Sequence, residues 1–96
     1  MLSVVIPCFN EEKIISKSIN TILGWSRDNN LKIELILVNN ASTDNTLKNI
    51  EKFNSEKNVI CLNENSKGKG FAVVKGIKTS SYNKVLILDA DLSADI

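Results

Sequence analysis

Four apolar runs, at residues 2–7, 33–38, 59–62 and 85–88, are spaced along the chain, and none alternates apolar with polar positions. Successive side chains on a strand point to opposite faces, so a strand that is apolar at nearly every position must be covered on both sides. Between these runs Ile15, Ile19, Ile22 and Leu23 recur at helical spacing, as do Leu47, Ile50 and Phe53, and then Ala72, Val73, Val74 and Ile77. Strands alternating with helices in this way predict an α/β fold, a mostly parallel sheet of about four strands with helices on both faces. Right-handed crossovers then place the helices, and ligands are expected beyond the carboxyl ends of the strands.

The first run closes at Pro7, the single proline, which cannot donate to a sheet ladder and suits a strand end. Asn10 is placed to cap a helix with Glu11 and Glu12 in its first turn, where the helix dipole favours negative charge, and Trp25 is expected to end that helix against the core. The second run empties into Asn39, Asn40, Ala41, Ser42, Thr43 and Asp44, with Ser42 as the expected helix cap and Asp44 as a first-turn acid. After the third run, polar residues 63–70 end in Ser66-Lys67-Gly68-Lys69-Gly70 and lead into the third helix. Lys84 opens the fourth strand, and Lys75, Lys78 and Lys84 read as a solvated face. Polar loops at 8–12, 39–44 and 89–91 therefore meet at one sheet edge, and the glycine-rich loop enters its helix from that edge.

Residues 1–96 have room for one small domain, or part of one, and not for a second core. Twelve Lys+Arg against eleven Asp+Glu leave almost no net charge, which argues against a nucleic-acid binder relying on a basic field. Cys8 and Cys61 lie far apart in apolar runs, with no histidine in the chain to complete a zinc site, and read as small buried hydrophobes in a reducing compartment. No apolar stretch reaches the roughly 18 residues needed to span a bilayer. The expected location is the cytoplasm, or the cytoplasmic face of a membrane if an anchor lies beyond Ile96.

The fourth run passes directly into Asp89-Ala90-Asp91. If the backbone stays extended, side chains at i and i+2 share a side, so both carboxylates can reach one cation while Ala90 points away. Hard divalent ions such as Mg2+ or Mn2+ take such oxygen ligands, with substrate phosphates completing the shell. Two acids one residue apart are also common by chance, and taken alone they are better explained by a solvated strand end.

The segments Val4-Val5-Ile6-Pro7-Cys8-Phe9-Asn10-Glu11-Glu12, Glu34-Leu35-Ile36-Leu37-Val38-Asn39-Asn40-Ala41-Ser42-Thr43-Asp44, Lys67-Gly68-Lys69-Gly70-Phe71-Ala72 and Leu88-Asp89-Ala90-Asp91 resemble, in order and spacing, the first half of family 2 glycosyltransferases. These are enzymes of the Rossmann-like GT-A fold that transfer sugars from nucleotide diphosphate donors with inversion. The glycine loop followed by Asp-Ala-Asp-Leu is most similar to the branch that makes polyprenyl or dolichyl phosphate sugars, which implies a lipid-phosphate acceptor. The resemblance implies that Pro7, Phe9 and Glu11 line a nucleotide pocket, that Asn39 and Asn40 contact base and ribose, that Lys67, Gly68, Lys69 and Gly70 lie beside the nucleotide, and that Asp89 and Asp91 bind metal. An Asn carboxamide both donates and accepts, as the edge of uracil requires, and a lysine offsets phosphate charge. A divalent cation on the two acids would stabilise charge on the departing diphosphate.

Asn39 stands where the family usually has an aspartate, which removes a charge that would grip a ribose hydroxyl or a guanine edge and tips the expected donor toward a UDP-sugar over a GDP-sugar. Ser66 stands where the loop often has Asn. The family's catalytic base and acceptor region come after the Asp-x-Asp motif, beyond Ile96, so no catalytic residue is expected within this chain and the isolated chain is expected to bind donor without transferring it. A competing class is a non-catalytic module that keeps the fold for protein contact, forming a homo-oligomer through an exposed sheet edge. A phosphoacceptor receiver domain shares the alternation, but wants acids directly after the first strand, where this chain has Pro7-Cys8-Phe9-Asn10.

Overall fold

The computed structural model describes residues 1–92. Its elements are β1 (Leu2–Cys8), α1 (Ile15–Asp28), β2 (Ile33–Asn40), α2 (Thr46–Glu51), β3 (Val59–Glu64), α3 (Lys69–Thr79) and β4 (Val85–Ile87). All four strands are parallel, in the order β3-β2-β1-β4. The chain winds outward from β1 to β3 and then crosses back to place β4 on the other side of β1. That reversal makes the carboxyl ends of β1 and β4 a topological switch point.

Alternate residues of the central strands feed two cores. Val4, Ile6, Leu35 and Leu37 pack against Ile15, Ile19, Ile22 and Leu23 of α1 and Ile50 of α2. Val5, Ile36 and Val38 face the opposite side and pack against Ala72 of α3. The expected helices on both faces are therefore present, and β2 is buried along its whole length. Burying one such aliphatic side chain contributes about 1.5–3 kcal/mol, so this double cladding is the main source of stability.

Several local expectations are corrected. β1 runs one residue past Pro7, which pairs with Val38 of β2. On the other side of β1, the Ser3 N–H donates to the Lys84 carbonyl at 2.9 Å and the Val5 carbonyl accepts from the Leu88 N–H at 3.0 Å. Pro7, two residues on, has no N–H to continue that ladder, so the proline ends only the β1–β4 pairing. β4 is a partly exposed edge strand rather than one buried on both faces, with Leu86 38 % exposed. Helix α1 begins at Ile15 with no acid in its first turn, because a turn in which the N–H groups of Ile14 and Ile15 both donate to the Glu11 carbonyl precedes it. Trp25 is half exposed instead of closing the core, and Val74 and Ile77 of α3 are exposed. The contact face of α3 is Ala72 with Gly76, the latter lying so close to Val5 that an added Cβ would meet its Cγ1 at 2.4 Å. Lys75 is not merely solvated, since its Nζ donates to the Asn63 carbonyl at 2.7 Å.

At the rim opposite the switch point, β2 carries a buried Glu34 that the sequence pattern passed over. Its Oε2 accepts from Ser3 Oγ and from the Ser81 N–H, each at 2.9 Å, and its Oε1 accepts from Ser81 Oγ at 3.1 Å. These bonds meet the requirement that a buried polar group be partnered, and they fasten the α3–β4 connection to β1 and β2.

Candidate functional site

An open cleft of about 440 Å³ lies at the switch point, lined by Pro7, Cys8, Phe9, Glu11, Ile14, Asn40, Lys69, Asp89, Ala90 and Asp91. Seven of the residues singled out in the sequence, Pro7, Phe9, Glu11, Asn40, Lys69, Asp89 and Asp91, thus come together from the ends of β1 and β2, the segments that follow β1 and β4, and the start of α3. Asn39, Lys67, Gly68 and Gly70 do not line it.

Two loops at the rim are laced to each other. Asn10, expected as a helix cap, instead adopts a left-handed conformation at φ 51°, and its Oδ1 accepts from the Thr43 N–H at 2.8 Å. The Asn10 N–H donates to Ser42 Oγ at 3.0 Å, so Ser42 bridges loops rather than capping α2. The Glu11 N–H donates to Thr46 Oγ1 at 2.8 Å, and Thr46 Oγ1 in turn donates to Asp44 Oδ1. Asp44 Oδ1 also accepts from the Thr46 N–H at 2.9 Å, where α2 begins. Desolvation, the largest single influence, pushes the Asp44 carboxyl up, but the hydrogen bonds from Thr46 and from the backbone N–H of Glu12 together outweigh it and hold the group below the usual range. Ala41, at φ 57°, makes the second left-handed turn in this rim.

The paired asparagines have different tasks. Asn40 is fully engaged: its Nδ2 donates to the Ser66 carbonyl at 2.7 Å and the Glu64 carbonyl at 3.4 Å, and its Oδ1 accepts from the Gly68 N–H at 3.1 Å. It therefore fixes the glycine loop. Gly68, at φ 129°, sits where an L side chain is strained, whereas a Cβ on Gly70 would meet nothing within 4 Å. Asn39 is buried, 4 % exposed, and its Nδ2 donates to Asn63 Oδ1 at 2.8 Å. Its own Oδ1 has no partner among the described residues. Leaving a buried acceptor unsatisfied costs about 1–3 kcal/mol, which a ligand N–H would recover. Asn63, which holds this amide, was missed by the sequence reading; its register opposite Asn39 is visible only once β3 is aligned.

The two acids do not stay extended. The Leu92 N–H donates to the Asp89 carbonyl at 2.8 Å, and Leu92 has φ 70°, so residues 89–92 form a turn. Both carboxyl groups still line the one cleft, and Asp89 Oδ1 lies 2.6 Å from Lys69 Nζ. The Glu11 carboxyl is pushed above its ordinary value, first by desolvation and then by the charges of Asp91, Asp44 and Asp89. The mouth is thus a concentration of negative potential. No cluster of three or more His, Cys, Asp or Glu positioned to hold a metal occurs among the described residues. Two oxygen donors facing an open cleft, in a field that already raises a neighbouring acid, nonetheless fit a hard divalent cation whose remaining ligands come from water and a bound diphosphate.

The chain matches the family described as Glycosyl transferase family 2 over residues 3–95. It is 32% identical over 95 residues to the poly-beta-1,6-N-acetyl-D-glucosamine synthase of Staphylococcus aureus, covering 98% of this chain and 22% of that protein. S. aureus TarS 1–349 superposes with a TM-score of 0.81 at 28% identity, over 94% of this chain and 27% of that one. TarS has also been solved in complex with UDP and with UDP-GlcNAc. A mannosyltransferase from Pyrobaculum calidifontis, PcManGT, in complex with GDP-Man and Mn2+, superposes with a TM-score of 0.79 at 26% identity, over 94% of this chain and 27% of that one. The chain therefore spans about a quarter of the length of these relatives.

Proposed function

The chain belongs to glycosyl transferase family 2, and we propose that its cleft is the donor pocket of an inverting glycosyltransferase, binding a nucleotide diphosphate sugar at the switch point between β1 and β4. The observation that carries this reading is the convergence of Pro7, Phe9, Glu11, Asn40, Lys69, Asp89 and Asp91 on one cavity. Phe9, half exposed at the rim, offers a face for a base to stack on. Asn40 holds the glycine loop, and Lys69 brings positive charge for a diphosphate. Asp89 and Asp91 would hold a divalent cation, Mg2+ or Mn2+, which when bound supplies Lewis-acid stabilisation of the leaving diphosphate.

We favour a UDP-sugar over a GDP-sugar, because a neutral Asn39 lacks the charge a guanine edge would use, and because a TarS structure holds UDP-GlcNAc. On the acceptor side, the lipid phosphate suggested by the glycine loop competes with a growing N-acetylglucosamine polymer, suggested by the name of the S. aureus synthase. Two free cysteines, with Cys8 buried and its thiol pushed up to about 12 by that burial, fit a reducing cytoplasmic setting. No helix among the described residues is long and apolar enough to cross a membrane.

Calorimetric titration of the 96-residue chain with UDP, UDP-GlcNAc, GDP and GDP-mannose, each with Mn2+, tests the proposal. Binding of the uridine compounds that disappears in the Asp89→Ala/Asp91→Ala double variant is expected; no heat from any of the four at millimolar concentration would overturn it. A second reading draws on the edge of β4, which no other strand covers among the described residues, where Leu2, Ile22, Trp25, Leu86 and Leu88 with Thr21 line a largely apolar groove that a second copy of the chain could cover. Sedimentation separates the two: a stable dimer indifferent to metal and nucleotide supports the second.

A further inference from the structure

Lys69 Nζ and Asp89 Oδ1 meet at 2.6 Å inside the cleft, with the two side chains 45% and 39% exposed. We propose that Lys69 is a displaceable internal counter-ion, which holds Asp89 until nucleotide diphosphate and divalent cation arrive together and then exchanges its carboxylate for the diphosphate. This inference rests on the donor reading above.

Three features make the exchange feasible. The backbone beneath Lys69 is fixed, because the preceding Gly68 donates its N–H to Asn40 Oδ1 at 3.1 Å, so only the side chain has to move. A lysine ammonium is a point charge on a flexible stem with three rotatable donors, which suits it to changing partners where a planar guanidinium fork would be held in place. Lys69 is also the first residue of α3, a helix with no acid in its first turn, so a cation stands at the positive end of the helix dipole and depends on an anion supplied from elsewhere. Asp89 is that anion in the free protein; the diphosphate takes its place in the complex.

An exposed pair of this kind is weak, so displacing it raises no large barrier. It still sets the order of affinities. In the free chain a cation must compete with the ammonium for Asp89, the other carboxylates lining the cleft being Asp91 and Glu11. With nucleotide present the ammonium has a second anion to bind, and the competition is relieved. Cation and nucleotide therefore strengthen each other's binding by the same factor, as linkage requires.

The test measures Mn2+ binding by electron paramagnetic resonance on the full chain, with and without saturating UDP. In the wild type, UDP is expected to tighten Mn2+ binding at least about fivefold, the lower end of ordinary coupling. Lys69→Met is expected to bind Mn2+ alone up to about fivefold tighter than wild type, the most an exposed pair supplies, and to lose most of the coupling. Lys78→Met removes the same charge from an exposed residue at the far end of α3, outside the cleft, and controls for bulk electrostatics; it is expected to leave both quantities near wild type. Circular dichroism confirms that each variant is folded. If Lys69→Met binds Mn2+ alone no tighter than the Lys78→Met control, while UDP still binds the wild type, the counter-ion role is overturned and the donor pocket stands. If the wild type takes no nucleotide at all, the donor reading fails first and this inference falls with it.

Discussion

Substituting the glycines of the two longer helices should have opposite effects on stability, and the sign follows from geometry. Propensity alone favours alanine over glycine in a helix interior by about 1 kcal/mol. At Gly24 in α1 the new methyl would find its nearest neighbour, Arg27 Nη2, at 3.8 Å, so Gly24→Ala should stabilise by about 0.5–1 kcal/mol. At Gly76 in α3 the same methyl would come 2.4 Å from Val5 Cγ1, 3.1 Å from Cγ2 and 3.3 Å from Cβ. Val5 is fully buried in the middle of β1 and has no room to retreat, so the overpacking cost of about 1–3 kcal/mol applies. An approach of 2.4 Å puts the cost in the upper part of that range, about 2–3 kcal/mol, so less the propensity gain Gly76→Ala should destabilise by about 1–2 kcal/mol. Adding Val5→Ala removes the clashing methyls, so the double variant should be less destabilised than the sum of the singles by about 1 kcal/mol or more. Urea denaturation followed by circular dichroism measures all four proteins. A Gly76→Ala protein as stable as Gly24→Ala would show that α3 does not rest on β1 as described, and the position of Lys69 at its start would lose its basis.

Three further outcomes test the rim and the opposite edge. Asp91→Asn should lower the Glu11 titration midpoint seen by NMR, but only part of the way to the ordinary value, since desolvation, the first cause, remains. Because a raised carboxyl pKa in the folded state makes stability fall as pH rises from the ordinary glutamate value through the raised one, that fall should also shrink; an unmoved midpoint would refute the charge cluster. Asp44 has the opposite sign: its folded pKa is depressed, so its contribution is present above the unfolded value and is lost as pH falls through the folded one. Asp44→Asn should accordingly flatten the acid limb of a stability–pH curve, and an unchanged limb would mean the Thr46 bonds do not form. Glu34→Ala should destabilise by about 2–3 kcal/mol, because it strips the acceptor from the fully buried Ser3 hydroxyl and from two Ser81 donors; a loss within about 0.5 kcal/mol, as at an ordinary surface site, would refute the clamp.

The strands were legible because burial on both faces leaves an unbroken hydropathic mark, and β2, buried at every position, carries the clearest one. Helix faces were less legible where contact depends on the lack of a side chain: Gly76 carries no apolar signal, so the pattern nominated Val74 and Ile77, which point outward. Asn10 and Ser42 have capping chemistry, and the same chemistry binds a neighbouring loop 32 residues away; sequence spacing does not distinguish the two uses. Glu34 was hidden because one acid in an apolar run reads as noise until Ser3 and Ser81 are seen to converge on it.

The acids at the cleft show how a correct placement can rest on a different cause from the one inferred. Extension through Asp91 would put two carboxylates on one side, yet the chain turns at Asp89 and both residues still line the cleft. What delivers them is Pro7. Read as the stop of its own strand, it leaves β1 paired with β2 through Cys8 and withholds a donor from β4 alone. β4 is thereby released from the ladder just after Leu88, and the turn that follows carries Asp89 toward Lys69. A residue without a hydrogen to donate thus fixes where the sheet opens, and the acids lie at that opening because they are the next residues in the chain.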